Sequence, residues 1–494
     1  MTAGETRAGP GEVEAEASGL RQGPMAALRG VLARPLASYY LLLASAGLLL
    51  LLGLVMVFSA TSVEGYAEHH DAYGSVIRQA VFAGIGLVAF WAFQRLPART
   101  YRALGLPLLI GSALLLALLD VLALLAHQRA QPGQDPQPVA LGPVHGDGLW
   151  LYLGGLQLQP AEMAKLALAL YGANLLARRG TAIGWWRRLA YPLFPITGGL
   201  LLLVGINDLG TMLCLLILFV GMLWGAGVRL RVFATMVSVA LGGVLLLISL
   251  PGKSYRFGRI TSFLDPSACN QQVDCYQALE GRYAIADGGW FGVGLGESRL
   301  KWGWLPNGHN DFIFAVIAEE LGVVGCFVVL GLLAVLAYTG LRIARRVDDP
   351  FRRLVATGVT TWLVGQSAIN IGGVVGLLPI TGLPLPFISD GGSALVVTLA
   401  AVGLLASFAR AEPDAARALH ARPPAPWVRL VWAPLPPLPR GRRATPRPRP
   451  ATRTTESGPD DPSGAGARPA SGGTGPGTGR PRVRPRPGAG ERSR

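Results

Sequence analysis

Charged side chains are scarce. They make up 15% of the 494 residues, against 51% hydrophobic, and the mean hydropathy is +0.41. A soluble protein of this length would carry about 25% charge, so that class is excluded. In place of charge stand long apolar runs such as 39–60 and 199–206, the mark of a chain with many membrane spans. Cysteine is also sparse, at four residues, and no metal-type C-x-x-C spacing exists. Cys214 and Cys326 lie in apolar runs as packing residues. Cys269 and Cys275 share one long polar stretch, and paired and free states are both open for them. A cleavable leader is not expected either, because the first apolar run starts near Tyr39.

The net charge of +15 is concentrated at one end: the last 84 residues hold 16 Arg and 6 acids. They lack interleaved aromatics and any folded RNA-binding pattern. This tail therefore reads as a solvated basic segment beside anionic membrane lipids, with no nucleic-acid partner.

The apolar runs predict ten spans, at about 39–60, 76–94, 102–125, 160–177, 190–206, 209–227, 232–250, 312–341, 354–378 and 392–409. Only Asn207 and Asp208 part the fifth from the sixth, as in a tight hairpin or a broken helix. Basic residues cluster in QRLPARTYR, ARRGTAIGWWRR, VRLR, RIARRVDDPFRR and the tail. With ten spans all of them fall on one side. The positive-inside bias makes that side the cytoplasm, with both termini inside. The expected fold class is an all-α polytopic membrane protein with a large extracytoplasmic loop between spans 7 and 8. The expected domains are a loose cytoplasmic segment 1–36, a membrane domain 37–410 with its outer loop at 251–311, and a disordered basic Pro/Gly/Arg-rich tail 411–494.

The outer loop is far longer than ordinary connections. It mixes Arg256, Arg259, Arg282, Arg299 and Lys301 with Trp290, Trp302 and Trp304. Such a mixture suits an anionic, lipid-linked or sugar substrate, and equally an interfacial anchor. GVGLG at 292–296 follows no βαβ strand, so it reads as a tight turn rather than a phosphate cradle. EHHD at 68–71 reads as a solvated loop rather than a metal cluster. Asp311 opens the eighth span, where an Asn310 or Asp311 helix cap and a general base at the water–membrane boundary are both open. Glu319 and Glu320 lie roughly 12 Å further along that helix. Acids among apolar residues need a polar interior or a partner. Lys165 and Glu162, one turn apart on the fourth span, are the expected partners, and Asp208 is a further buried acid. LLPITGLPLPFISDGGS cannot be a regular helix, so it reads as a re-entrant loop walling an outward-facing pocket.

Several segments together resemble the shape, elongation, division and sporulation (SEDS) glycosyltransferases: VMVFSATSV, LGGLQLQPAEMAKLAL, DLGT, RITSFLDP, GGWFGVGLGESRLKWGWLPNGHNDFIFAVIAEELG and NIGGVVGLLPITGLPLPFISDGGS. They cover most of residues 50–410 and look more like division-type than elongation-type members. The resemblance implies a ten-span polymerase of lipid II at the outer face of the cytoplasmic membrane, at the division septum. Its implied partners are a class B penicillin-binding transpeptidase and other division proteins. HNDFIF gives Asp311 the family's essential aspartate. Lys165, Glu162, Lys301, Glu319, Glu320 and Ser393 fall on matching motif positions. Asn310, Asp390 and Asn207 depart from the usual Thr, Tyr and Pro, and an Arg usual in the family is replaced near Leu149 or Tyr152.

The implied chemistry has Asp311 take a proton from the acceptor sugar's 4-hydroxyl. It would act directly or by ordering a divalent cation, Mg2+ or Mn2+; no organic cofactor is expected. Undecaprenyl pyrophosphate then leaves, with Lys301, Arg259 and Lys165 as candidate cations for its charge. A flippase for the lipid-linked precursor, or an elongation-type polymerase, is the alternative, since ten spans, a broken helix pair and intramembrane acids suit a transporter too.

Overall fold

The computed structural model describes residues 29–439, apart from 31, 71–72, 130–138, 142–143, 154–155, 180–185, 250–275 and 303–307. Each of the ten apolar ranges coincides for most of its length with a helix. In chain order these are α1 (Ala37–His69), α2 (Gly74–Arg95), α3 (Ala98–Arg129), α4 (Pro160–Arg179), α5 (Trp186–Asn207), α6 (Leu209–Gly225) and α7 (Leu230–Ser249). After them come α8 (Tyr276–Gly288), α9 (Ile313–Arg346), α10 (Pro350–Val375) and α11 (Gly392–Arg410). Two short helices follow, α12 (Pro413–Ala421) and α13 (Pro426–Val431). Among the described residues, five segments are long and apolar enough to cross a membrane: Ala37–Ser62, Gly74–Arg95, Ala98–Ala126, Ile313–Arg346 and Gly392–Arg410. The chain is a multi-pass, mostly helical membrane protein.

Local chemistry explains several boundaries. Asp208 caps α6 by accepting the Thr211 N–H (2.9 Å), so the acid between the fifth and sixth spans works as a helix cap. Asp349 caps α10, with Pro350 at its first turn and Gly376 in the left-handed conformation at its end. The same Asp349 pairs with Arg102 at 2.8 Å, and Arg346 faces Glu412 at 3.7 Å. Three of the basic clusters therefore meet at one end of the helices.

Two expectations need correction. The fold is not purely helical, because residues 139–158 form a four-stranded antiparallel meander, β1 (Val139–Leu141), β2 (Val144–Asp147), β3 (Trp150–Leu153) and β4 (Leu156–Leu158). Its signal is period-2 alternation in WLYL and LQL and an Asp-Gly turn, with Gly148 at φ 56°. The tail is not disordered from residue 411. Residues up to 439 fold back as α12, α13 and a strap, because side chains of the helices supply hydrogen bonds to its backbone. Trp91 donates to the Val431 carbonyl (2.7 Å), Gln94 to Trp432 (3.3 Å) and Arg410 to Ala433 (3.3 Å), while the Trp432 indole donates to the Tyr39 hydroxyl (2.6 Å).

The Pro-rich segment after α10 is non-helical yet buried: Leu383, Leu385, Phe387 and Ile388 are nearly inaccessible. Such backbone survives in a membrane protein only if its polar groups find partners within the protein. Here the Gln366 side chain donates to the Pro384 carbonyl (2.8 Å), Asn370 to Leu383 (2.7 Å) and Gln79 to Ser389 (3.1 Å). Gly53 of α1 admits the segment, since a Cβ there would strike the Phe387 carbonyl.

Candidate active site

Asp311 lies in the turn that leads into α9, and the first residue outside that helix is Phe312, which makes no side-chain cap. Neither Asn310 nor Asp311 therefore occupies the cap position, which falls on Phe312. A pocket opens beside it, lined by Asp311, Phe312, Asn370, Gly373, Thr381 and Leu383 among others. Its wall is the end of α10 and the re-entrant segment, as the Pro/Gly pattern requires. Arg282 of α8 lays its guanidinium against Gly376, about 3.0 Å from where a Cβ would stand. A cation there complements the carbonyls at the end of α10.

Glu162 and Lys165 sit together but not in the pocket lining. Lys165 is fully buried; its ammonium donates to Glu162 Oε1 (2.5 Å) and Gln366 Oε1 (2.8 Å) and stands 5.1 Å from the centre of the Trp362 ring. Trp362 Nε1 also donates to Gln366 Oε1 (2.8 Å). A charge taken so far out of water is tolerable only when paired and hydrogen-bonded. Through Gln366 this cluster reaches the Pro384 carbonyl, so it braces the re-entrant segment from α4 and α10.

Glu319 and Glu320 find other partners than Glu162 and Lys165. The Ser59 hydroxyl of α1 lies 2.7 Å from both carboxylate oxygens of Glu320. Glu319 accepts the Arg299 N–H (2.9 Å) and the Ser298 hydroxyl. Both acids sit just before a break in α9 at Gly322, whose φ 65°, ψ −165° is open to glycine alone. The GGWFGVG turn repairs that break. Val293 and Gly294 donate to the Glu319 and Glu320 carbonyls (2.9 and 3.2 Å), while Gly289 and Trp290 accept from Val323 and Val324 (3.0 and 3.2 Å). The 292–296 segment is accordingly a tight turn, with positive φ at Gly292, Gly294 and Gly296.

Ser393, at the start of α11, accepts the Gln159 N–H (3.0 Å), tying α11 to the end of the meander. Lys301 has its backbone in a single 3-10 turn, Leu300–Trp302, and its side chain lies outside the described residues. Arg259, Cys269 and Cys275 lie outside them altogether. Among the described residues no group of three or more His, Cys, Asp or Glu side chains stands ready for a metal. The residues that sequence reasoning passed over are Gln366, Asn370 and Ser389. Gln366 and Asn370 stand four apart on an otherwise apolar span, and that intramembrane polarity was their signal.

A profile of the cell cycle protein family of FtsW, RodA and SpoVE matches residues 39–413. A Mycobacterium tuberculosis protein named "Probable peptidoglycan glycosyltransferase FtsW" is 40% identical over 407 residues, 82% of this chain and 74% of its own length. Stage V sporulation protein E of Bacillus subtilis is 36% identical over 366 residues, 74% of this chain and 94% of its own. Among solved structures, a chain from a peptidoglycan synthase complex described as coordinating polymerization and crosslinking matches at 28% identity with a TM-score of 0.59. It covers 75% of this chain and 96% of that one. The crystal structure of the Thermus thermophilus rod shape determining protein RodA matches at 28% identity with a TM-score of 0.52 over the same shares. With the profile match spanning most of its length and its apolar helices and re-entrant pocket in place, this chain belongs to the FtsW/RodA/SpoVE cell cycle protein family.

Proposed function

We propose that this protein is a peptidoglycan glycosyltransferase of the division type that polymerises lipid II. The observation that carries the reading is the setting of Asp311: an acid beside a pocket walled by the re-entrant segment, at the end of the helices away from the basic clusters. α11 alone, with 19 residues, separates Ser393 from Arg410 by about 25 Å. Ten spans with both termini in the cytoplasm put the pocket at the outer membrane face and the strap at the inner one. FtsW-named relatives support a septal role, and the synthase-complex neighbour supports a class B transpeptidase as partner.

In the reaction, Asp311 takes the proton of the acceptor 4-hydroxyl as it attacks the donor's anomeric carbon. General-base help of this kind contributes about 10²–10⁴-fold. The departing pyrophosphate needs positive charge where its own develops. Arg282 at the end of α10 is a described candidate, beside Lys301 and Arg259. Lys165 braces the loop instead, by its complete burial. A divalent cation fits the donor chemistry: the Asp311 carboxylate and the buried Oδ1 atoms of Asn310 and Asn370, which accept no hydrogen bond from described residues, are hard oxygen ligands of the kind Mg2+ or Mn2+ takes. Bound there, such an ion would supply charge neutralisation.

The test is polymerisation of lipid II by the purified protein with its cognate transpeptidase, comparing wild type with Asp311→Asn. The variant is expected to lose at least about 100-fold in rate while keeping its fold. Undiminished polymer from it would remove Asp311 from the mechanism. Translocation of labelled lipid without polymer would favour a flippase.

A further inference from the structure

Three consecutive carbonyls lead into α9, and each is held by a different donor. The Asp390 N–H donates to the His309 carbonyl (3.1 Å), the Ser389 hydroxyl to that of Asn310 (2.7 Å), and the Asn370 amide to that of Asp311 (2.7 Å). These contacts are not helix capping, which satisfies N–H groups at a helix start rather than the carbonyls before it. The donors are themselves held. Ser389 Oγ accepts the Leu385 N–H (2.7 Å), which turns its proton toward Asn310. The Asn370 amide also donates to the Leu383 carbonyl (2.7 Å). Gln79 of α2 donates to the Ser389 carbonyl (3.1 Å), and Arg78 pairs with the Asp390 carboxylate at 3.1 Å. Ser389, Asn370 and Gln79 are all buried.

We propose that Asn370 and Ser389, backed by Gln79 and the Arg78–Asp390 pair, are positioning residues that clamp the 309–311 turn and so set where the Asp311 carboxylate meets the acceptor sugar. This rests on the glycosyltransferase reading. A base acts only within hydrogen-bond reach of its proton, and a misplacement of about 1 Å can cost 10²-fold. A carboxylate on a short side chain follows its Cα, so fixing three successive peptide units fixes its reach. The pair also accounts for Asp390, the acid that replaces the family's usual Tyr: Arg78 neutralises it, so no unbalanced negative charge faces an anionic substrate. Because the clamp ties the re-entrant segment to the turn, any movement of that segment carries Asp311 with it.

The test is steady-state lipid II polymerisation by the full chain with its transpeptidase, read as kcat and KM separately, with the thermal midpoint of each variant. Ser389→Ala is expected to lower kcat by about 10–100-fold, with KM within about threefold of wild type and a similar midpoint. Ser389→Thr, which keeps the hydroxyl, is expected to restore kcat. If Ser389→Ala does not fold, the exposed partner decides: Arg78→Asp is expected to lower kcat several-fold, and adding Asp390→Arg to restore it. Full kcat in Ser389→Ala, a loss carried by KM or by the midpoint, or no rescue by Thr would overturn the clamp. So would full kcat in Arg78→Asp where that variant decides. A wild type that makes no polymer sinks the transferase reading instead; a wild type that polymerises beside an unaffected Ser389→Ala sinks the clamp alone.

Discussion

Glu412 lies two residues past the end of α11 and is buried, with the Arg346 guanidinium at 3.7 Å. Burial pushes its carboxyl above the ordinary carboxylate range, against the pull of Arg346 and Arg342. A carboxyl whose folded value is raised adds stability that is complete below its unfolded value and is lost as pH rises through the folded one. Glu412→Gln is therefore expected to raise the thermal midpoint more at pH 8 than at pH 5, measured by scanning fluorimetry in detergent; an equal change at both would contradict this. Other buried acids meet donors from elsewhere in the protein: Lys165 at Glu162, Ser59 at Glu320, Ser298 and Arg299 at Glu319. That all of them needed partners was legible in the sequence. Which partner was not, since Ser59 and Glu320 stand 261 residues apart and nothing local links them.

At the scale of the element, α9 is two helical pieces joined at Gly322 and stitched by the 289–294 turn. The turn's peptide groups replace the ladder bonds that the break removes. A Cβ at Gly322 would meet the Trp290 carbonyl and force a backbone conformation that side chains avoid. Gly322→Ala is expected to cost about 1–3 kcal/mol, read as a lower denaturation midpoint, with the Glu319 and Glu320 contacts loosened. An unchanged midpoint would mean that the stitch contributes nothing. The sequence announced the turn through its glycines and the helix through its hydropathy. It did not announce that the one repairs the other, because that pairing is a contact between elements. The meander at 139–158 is the opposite case. Its period-2 alternation was present, but it is short and lies within a chain dominated by helical runs.

Across the whole molecule, the strap that follows α13 ties the basic ends of α1, α2 and α11 together. Truncation after residue 439 is expected to leave the thermal midpoint unchanged, whereas truncation after residue 421, which removes α13 and the strap, is expected to lower it by several degrees, about the effect of losing a few kcal/mol. Equal midpoints would show that the strap is not part of the folded body. Hydropathy summed along the chain determined the helices, because a bilayer needs about 20 apolar residues to cross it. Pro and Gly density likewise marked the re-entrant segment, because backbone geometry is a local property. Only the tertiary structure decided that Lys165 braces a loop, that Glu320 answers to α1, and that Asn370, Ser389 and Asp390 grip the turn carrying Asp311. A buried polar group takes whichever partner packing brings within hydrogen-bond reach, and packing joins residues that the sequence keeps far apart.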